Sequence, residues 1–318
     1  MAELSLSRLG YGTANLGNFH RELTDDESWA ILDTAWDVGV RYFDTAPHYG
    51  LGLSEIRLGA FLRTKPRSEF VISTKVGRLI RPNPEGRGTL DLANDFHVPA
   101  DRMRVWDFRS SGIRASLEES LKRLGLDSVD VLFLHDPERY DVDRGIDEAI
   151  PTLVDLRAEG AAAQIGVGSM DTPALLAAAQ TGVIDLLMIA GRYTLAEQPA
   201  LVDVIPACER NNVGVVNASV FNSGILASSH PGRDARYEYS DAPAELLERV
   251  RSIAATCEEF GVELPTAALQ FAARHPVVRS VVVGGSSPAQ VRDSARRMDE
   301  SVPDELWAAL AERELVPA

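Results

Sequence analysis

Apolar segments of strand length alternate along the whole chain with stretches whose apolar residues recur every three or four positions. Most of the short segments lack the polar alternation of a strand with one face in water, as expected when both faces of a parallel sheet are covered. The longer stretches have the spacing of amphipathic helices. Strands are predicted over residues 8–13, 41–45, 70–75, 129–135, 163–169, 186–190, 214–218 and 280–284.

Several of the predicted helices have recognisable ends. Thr24 and Glu27 have the spacing of a capping box, and Gly39 is positioned to end the helix that follows. Ser111 is predicted to cap another helix, which ends near Gly125. Further helices are predicted over residues 153–160, 173–182 and 244–261.

Eight strands joined by crossover helices predict an α/β protein, a closed (β/α)8 TIM barrel that forms one domain over residues 1–318. An open doubly wound sheet is the alternative, but the turn after the first strand (GYGTAN, residues 10–15) does not match G-x-G-x-x-G. Two connections, residues 78–110 and 221–243, are too long for simple turns. Both follow strands, so we expect them to be lids or binding loops at the carboxyl end of the barrel.

The composition narrows the class of protein. The 318 residues include 32 Lys and Arg against 47 Asp and Glu, a formal net charge of −15. Such a surface repels phosphate, so we expect no nucleic acid and no anionic membrane as partner. No apolar run reaches the roughly 18 residues of a membrane span, and the N-terminus lacks a signal-peptide pattern. With only two cysteines, Cys208 and Cys257, a cytoplasmic location is expected.

Four polar side chains are predicted to meet at one end of the barrel. Chemistry in this fold gathers where strands end and the following loops begin. Asp44, Lys75 and His135 end the second, third and fourth strands, and Tyr49 lies in the loop after the second. A phenol has a pKa of about 10 that a nearby ammonium lowers, so we expect Lys75 to make Tyr49 a better proton carrier. No side chain carries hydride, so such a site requires a nicotinamide.

Each of these residues also has an ordinary structural interpretation. Lys75 alone is more often a solvated or ion-paired lysine, and Asp44 alone is as often a helix cap. His135 alone is more often a buried, hydrogen-bonded histidine, and Tyr49 alone a packing residue. A Schiff-base lysine, as in barrel aldolases, is a further alternative for Lys75. The catalytic interpretation depends on their common position at the ends of neighbouring strands.

Four motifs occur in order along the chain: FDTAPHYG (43–50), STK (73–75), LGLDSVDVLFLH (124–135) and IGVGS (165–169). Together they resemble the aldo-keto reductase family. The resemblance implies a (β/α)8 barrel that binds NAD or NADP without a Rossmann fold. It also implies that Tyr49 is the general acid/base and that Lys75 tunes its pKa. Asp44 is then the partner of Lys75, and His135 orients the substrate.

Further segments are HYGLGLSE (48–55), WDF (106–108), HDP (135–137), AGRYT (190–194) and VFNSG (220–224). They resemble the branch that contains L-fucose and D-threo-aldose 1-dehydrogenases, L-galactose dehydrogenase and a pyridoxal 4-dehydrogenase. The resemblance implies oxidation of a cyclic hemiacetal carbon to a lactone, with a sugar or pyridoxal-like small molecule as partner and a monomer or homodimer as the assembly. A general NADPH-dependent aldehyde or ketone reductase is one alternative. A non-catalytic nucleotide sensor or partner subunit is another.

The resemblance also implies how the cofactor and substrate are held, with no metal. Ala218 replaces the aromatic residue that stacks on the nicotinamide in many members, so Phe221 or Tyr193 is expected to substitute. Gly284 and Gln290 replace a Lys and an Arg common in NADP-binding members, so NAD is the predicted cofactor, and NADP is possible through Arg292. The expected cofactor contacts are Asp44, Ser169, Ser219, Phe221, Ser223, Gly224, Gly285, Ser286, Ser287 and Gln290, and the expected substrate contacts are His48, Tyr49, Trp106, Phe108 and His135.

Overall fold

Eight parallel strands, numbered here in chain order, form the wall of a barrel in the computed structural model, which describes residues 4–232, 236–238 and 240–317. The strands are β1 (Leu9–Gly12), β2 (Tyr42–Asp44), β3 (Val71–Val76), β4 (Val129–His135), β5 (Ala162–Ser169), β6 (Leu186–Ala190), β7 (Gly214–Ala218) and β8 (Val278–Gly284). Each strand pairs with its neighbours in sequence, and β1 pairs with both β2 and β8, so the sheet is closed. The predicted (β/α)8 barrel is confirmed.

Helices connect the strands on the outside of the barrel. Those of eight or more residues are α1 (Asp25–Asp37), α2 (Leu53–Leu62), α3 (Ser110–Leu124), α4 (Ile150–Ala158), α5 (Thr172–Gln180), α6 (Val204–Asn211), α7 (Ala244–Glu259), α8 (Leu264–Phe271), α9 (Pro288–Asp299) and α10 (Asp304–Glu312). None of the helices within the described part of the chain is both long and apolar enough to cross a membrane.

The helix ends test the predicted caps. Thr24 and Glu27 form the capping box at the start of α1, as predicted. Gly125 adopts a left-handed conformation at the end of α3, also as predicted. The predicted cap Ser111 is wrong, because α3 already begins at Ser110 and its cap, Arg109, makes no side-chain cap hydrogen bond.

Large side chains fill the inside of the barrel because the strands leave room for them. Inside the barrel, one apolar cluster contains Tyr42, Val131 and Phe133 together with residues of β6, β7 and β8. A Cβ at Gly166 would lie 2.9 Å from the Phe133 ring, and one at Gly10 would lie 2.8 Å from the Tyr42 ring. Glycine at these two positions therefore allows the aromatic layer to pack.

The outer faces of the strands pack against the helices in a second, larger core. Along β4, Leu132 and Leu134 belong to this outer core, whereas Val131 and Phe133 point into the barrel. Both faces of the strand are thus apolar and buried. This is why the predicted strands lack polar alternation.

Both long connections carry a short antiparallel hairpin. The first pairs Arg78–Pro82 with Arg102–Trp106, directly after β3. The second pairs Arg236–Tyr237 with Ser240–Asp241. Residues 233–235 and 239 of the second predicted loop lie outside the described residues.

Candidate active site

The carboxyl ends of β2, β3 and β4 bring three predicted residues together. Asp44 is the last residue of β2, Lys75 is the penultimate residue of β3 and His135 is the last residue of β4. Tyr49 lies in the turn after β2 and reaches the same place. The parallel register of neighbouring strands therefore collects the four groups at one end of the barrel.

Lys75 is the centre of this group. Its Nζ donates hydrogen bonds to Asp44 Oδ2 at 2.6 Å, to the carbonyl oxygen of Thr45 at 3.0 Å and to Tyr49 Oη at 3.1 Å. The Lys75 and Asp44 side chains are only 2% and 3% exposed. A buried ammonium with three oxygen partners is held in one position, because breaking any of them would leave a polar group unpaired.

Asp44 is fixed from its other side as well. Its Oδ1 accepts a hydrogen bond from Ser73 Oγ at 2.6 Å, and Ser73 in turn contacts the Tyr42 hydroxyl at 2.9 Å. Ser73 and Tyr42 are both buried inside the barrel. The carboxylate therefore has a partner for each oxygen and cannot rotate away from Lys75 without losing one.

Two close backbone contacts position Tyr49. A Cβ at Gly17 would lie 2.6 Å from the carbonyl carbon of Tyr49, and one at Gly50 would lie 2.3 Å from the carbonyl oxygen of Gly17. Gly50 also has a φ of +61°, which favours glycine. The loop after β1 thus packs directly on the turn that carries the phenol, and only glycine allows this approach.

The pKa of Tyr49 is shifted upwards, opposite to the lowering expected from the sequence. Burial raises it, Lys75 lowers it, Asp44 raises it, and the net pKa of Tyr49 lies above 10.0. Burial by itself would lower the pKa of Lys75, but Asp44 and Tyr49 raise it, and its net pKa lies above 10.5. The expected lowering by Lys75 is present but is outweighed by desolvation, so in this structure the phenol is protonated and the amine is charged at neutral pH.

His135 and His48 line the site as neutral imidazoles. Burial, followed by the charge of Arg78, holds the pKa of each histidine well below 6.5. The His135 ring lies edge-on to the Tyr49 ring with centroids 6.1 Å apart, and the two histidine rings are 5.6 Å apart. His48 Nδ1 is buried without a hydrogen-bond partner among the described residues. Both rings can therefore bond to a neutral or anionic oxygen near Tyr49.

The two aromatic residues predicted to cover the substrate differ in their positions. Trp106 is half-buried and stacks on Tyr140 with ring centroids 5.8 Å apart. Phe108 is 0% exposed and belongs to the outer core, where its ring packs edge-on against Trp106. Phe108 therefore packs against Trp106 from the core side, and its own ring face is not accessible to a ligand.

The loop after β7 presents main chain and small side chains. Ser219, Ser223 and Gly224 are exposed and have φ values of +54°, +57° and +97°. Phe221 is half-buried beside them. Tyr193, by contrast, is 4% exposed and packs against Phe271 of α8 with ring centroids 5.3 Å apart, so the expectation that it stacks on a nicotinamide is wrong.

Two further predicted contacts already have protein partners. The hydroxyl of Ser169, at the end of β5, donates to Glu138 Oε2 at 2.7 Å. Gln290 Oε1 accepts a hydrogen bond from the backbone nitrogen of Ser286 at 2.7 Å. Ser287 caps α9 by accepting from the Gln290 backbone nitrogen, and Gly285 is buried in the same turn.

Arg21 is a residue near this turn that the sequence did not indicate. Its Nη2 donates to the carbonyl oxygen of Ser286 at 2.8 Å, across 265 positions of sequence. Its side chain is 47% exposed and pairs with Glu27. Arg292, on the early part of α9, is exposed and makes no ion pair within the described ranges. The folded chain thus places a second guanidinium at a turn where the sequence showed only Arg292.

The residues around the β7 loop fit a dinucleotide. Asn222 Oδ1 is buried without a hydrogen-bond partner in the described chain, and its Nδ2 reaches the Gly191 carbonyl oxygen at 3.4 Å. An unpartnered buried acceptor suits the hydroxyl or amide donors of a nicotinamide riboside. Asn222 lies inside the VFNSG segment, so that segment was the available signal for it. The described residues contain no group of three or more metal-ligating side chains placed to hold an ion.

Comparison with known proteins agrees with this geometry. The chain is 58% identical over 317 residues to a D-threo-aldose 1-dehydrogenase from Pseudomonas sp., covering 99% of this chain and 96% of that protein. It is 35% identical to a pyridoxal 4-dehydrogenase from Microbacterium luteolum, covering 98% and 95% of the two chains. Its fold matches that of an aldo/keto reductase from Klebsiella pneumoniae in complex with NADP and acetate, with a TM-score of 0.70, 21% identity and coverage of 98% and 93%.

The family model confirms the predicted resemblance over almost the whole chain. The model of the aldo/keto reductase family matches residues 8–314, which include all eight strands and the four residues Asp44, Tyr49, Lys75 and His135. Use of NAD or NADP is typical of this family. The chain belongs to the aldo/keto reductase family of oxidoreductases.

Proposed function

We propose that this protein is an NAD(P)-dependent aldose 1-dehydrogenase that oxidises the hemiacetal carbon of an L-fucose, L-galactose or D-threo-aldose type sugar to a lactone. The observation that carries the proposal is the contact of Tyr49 Oη with the buried, charged Nζ of Lys75 at 3.1 Å. The 58% identity to a D-threo-aldose 1-dehydrogenase supports the choice of an aldose.

Tyr49 is the proton carrier in this proposal. Oxidation of the hemiacetal removes the hydroxyl proton and a hydride from C1, and the remaining electrons form the lactone C=O bond. Tyr49, as the phenolate, takes the hydroxyl proton, and Lys75 stabilises that phenolate. In the reverse direction the phenol gives its proton to the substrate oxygen. The bound nicotinamide supplies or accepts the hydride.

His135 and His48 orient the reacting oxygen. Their low pKa values keep both rings neutral across the physiological range, because burial and Arg78 disfavour a second positive charge. A neutral ring can donate from one nitrogen to the substrate oxygen. The unpartnered Nδ1 of His48 offers a contact to a further sugar hydroxyl.

The cofactor in this proposal is a nicotinamide dinucleotide, which the residues at the ends of β2 to β4, the loop after β7 and the turn before α9 would hold. The main chain and small side chains of residues 219–224 and 285–287 would hold its phosphates. Arg21 and Arg292 flank the turn where an adenosine 2′-phosphate would lie, which supports NADP alongside NAD. We therefore replace the predicted preference for NAD with the use of both coenzymes.

Pyridoxal 4-dehydrogenase activity is a second candidate, supported by the 35% identity to such an enzyme. Pyridoxal forms a cyclic hemiacetal, so Tyr49 would perform the same proton transfer. The same residues also serve a general aldehyde or ketone reductase that works in the opposite direction.

The aldolase alternative conflicts with the environment of Lys75. Schiff-base formation requires a neutral and accessible amine. The Lys75 amine is 2% exposed, donates to three oxygens and has a raised pKa. We therefore do not propose Schiff-base chemistry.

The test is a spectrophotometric panel of L-fucose, L-galactose, other aldoses, pyridoxal and simple aldehydes with NAD(H) and NADP(H). We expect the highest kcat/KM with an aldose. Tyr49→Phe should lower kcat by about 10²- to 10⁴-fold with unchanged cofactor affinity, because only the proton carrier is lost. Tyr193→Phe removes a phenol from the outer core and should leave kcat unchanged.

Three results would contradict the proposal. Undiminished turnover by Tyr49→Phe would exclude Tyr49 as the acid/base. Turnover of aldehydes and pyridoxal without any aldose would exclude the substrate assignment. Tight cofactor binding without turnover of any compound would identify the protein as the non-catalytic binder considered above.

A further inference from the structure

Arg78 and Asp136 form an ion pair with little exposure to solvent beside the group of Asp44, Tyr49, Lys75 and His135. Arg78 follows Lys75 by three positions and begins the first hairpin, and Asp136 is the residue after His135. The side chains of Arg78 and Asp136 are 5% and 19% exposed. Neither residue is assigned a contact with the substrate in the proton transfer proposed above.

The turn between Lys75 and Arg78 is built for this placement. Gly77 has a φ of +104°, and a Cβ on it would lie 2.7 Å from the Phe108 ring. Phe108 supports Trp106 from behind, and the Arg78 guanidinium lies 4.3 Å from the centroid of the Trp106 ring. Arg78 is thus held between an aromatic face and the Asp136 carboxylate, close to the expected position of the substrate.

A buried ion pair is poor evidence for a stabilising role, because desolvation of both charges offsets most of their attraction. The pair also has unused hydrogen-bonding capacity. Arg78 Nε is buried without a hydrogen-bond partner in the described part of the chain, as is His48 Nδ1 nearby. Asp136 adopts a left-handed conformation, with φ of +42°, where it carries its carboxylate towards Arg78. Buried polar atoms without partners beside the expected position of the substrate indicate that a polar ligand supplies their missing hydrogen bonds.

A sugar hydroxyl fits this pair. A hydroxyl both donates and accepts, so two neighbouring hydroxyls can donate to the Asp136 carboxylate and accept from the Arg78 guanidinium. The pair is also close to the group that holds the reacting oxygen. Asp136 Oδ2 lies 3.6 Å from His135 Nε2, and Arg78 is the charge with the largest lowering effect on the pKa of both His48 and His135.

We infer that Arg78 and Asp136 determine the substrate class by binding hydroxyl groups of the sugar away from C1, and that they select polyhydroxylated substrates over plain aldehydes. This inference rests on the proposed aldose oxidation and extends it to a specificity pair. A substrate without those hydroxyls would leave the charged pair unpaired, and sites built on polar contacts reject such analogues strongly.

The experiment couples side-chain substitution to hydroxyl deletion. The substrates are the best aldose, its singly deoxygenated analogues and a hydroxyl-free aldehyde measured in the reducing direction. The variants are Arg78→Met, Asp136→Asn and the double variant Arg78→Met/Asp136→Leu, which leaves no unpaired charge. Arg81→Met is the matched control, because Arg81 lies on the same hairpin strand but pairs with Glu119 of α3. Melting temperature and cofactor affinity are measured for each variant.

In the wild type, we expect one or two deoxygenations to lower kcat/KM by about 30-fold or more, mainly through KM. In the three pair variants, the same deoxygenations should matter less than about threefold, since the partners are gone. In the pair variants, kcat/KM for the aldose should fall much more than kcat/KM for the hydroxyl-free aldehyde, because only the aldose loses hydroxyl contacts. Arg81→Met should behave like the wild type.

Two results would overturn the inference alone. One is a wild type that oxidises aldoses and pair variants that retain the full hydroxyl dependence. The other is an equal loss of activity on the aldose and on the hydroxyl-free aldehyde, which would give the pair a structural role. A wild type that reduces aldehydes but oxidises no aldose would contradict the proposed function itself, and the inference with it.

Discussion

The two sides of the barrel mouth are built in different ways. At the ends of β2 and β3, the charged side chains of Asp44 and Lys75 are 3% and 2% exposed and bond to each other. After β7, Ser219, Ser223 and Gly224 are exposed and present main chain in left-handed conformations. The first side is a network of side chains, and the second is a surface of backbone and small residues.

This difference follows from what each side has to hold. A buried charge is stable only with its partners in place, so the Lys75 side has one geometry and little tolerance for substitution. The shape of a surface made of main chain depends on φ and ψ much more than on side-chain identity. Many different sequences can therefore bind the phosphates of a dinucleotide. We therefore expect substitutions near Lys75 to affect the chemical step and those near α9 to affect cofactor choice.

The largest effect is expected for Lys75→Met. The phenolate of Tyr49 loses its stabilising charge, so kcat should fall on the order of 10³-fold. Asp44 is left buried without its cation, so the free energy of unfolding should fall by about 3–5 kcal/mol. Chemical denaturation and steady-state kinetics on the same preparation measure both effects.

The double variant Lys75→Met/Asp44→Leu separates the two effects. It removes the unpaired carboxylate, so most of the stability should return while kcat stays low. Recovery of kcat together with stability would show that Lys75 acts only by supporting the fold. The expectation that substitutions near Lys75 affect the chemical step would then be wrong.

The sequence was sufficient to predict the barrel and the group around Lys75. The positions of Asp44, Lys75 and His135 follow from strand ends alone, because a closed parallel barrel brings all carboxyl ends to one face. The run of apolar residues that marks a buried strand is a local property, so β4, β6 and β7 match their predicted bounds.

The features that the sequence could not predict depend on how deeply a side chain is buried and on contacts between residues far apart in the sequence. Phe108 and Tyr193 are aromatic residues near strand ends, but both turn into the outer core, and no local pattern shows which way a loop ring points. The pKa of Tyr49 depends on desolvation by the whole fold, which outweighs the single neighbour Lys75. Arg21 reaches Ser286 only because β1 pairs with β8.

The pH dependence tests the raised pKa of Tyr49. Oxidation needs the phenolate, and below the phenol pKa the phenolate fraction rises tenfold per pH unit. We expect kcat/KM for aldose oxidation to rise about tenfold per unit between pH 7 and 9, and reduction, which uses the phenol, to stay flat there. Deuterium at C1 of the sugar should slow the reaction, which verifies that chemistry is being measured.

A plateau of oxidation below pH 8 would reverse the interpretation of the Tyr49 pKa. It would mean that Lys75 lowers this pKa by more than burial raises it, as the sequence alone suggested. The Arg21→Ala variant serves as the control for the profile. Arg21 donates to the Ser286 carbonyl oxygen on the cofactor side and does not belong to the network of Asp44, Tyr49 and Lys75, so its loss should shift rates with NADP without changing the slope.

The smallest effect is expected at the α9 end. Arg21→Ala and Arg292→Ala should each raise KM for NADP by about threefold to tenfold and leave KM for NAD unchanged, because only NADP carries the 2′-phosphate that an exposed guanidinium can bind. Arg296→Ala, on the same helix but paired with Glu300, is the matched control and should change neither value. Equal changes for NAD and NADP would show that the two arginines shape the turn instead of binding phosphate. Because both side chains are exposed, the free energy of unfolding should change little, in contrast to Lys75→Met.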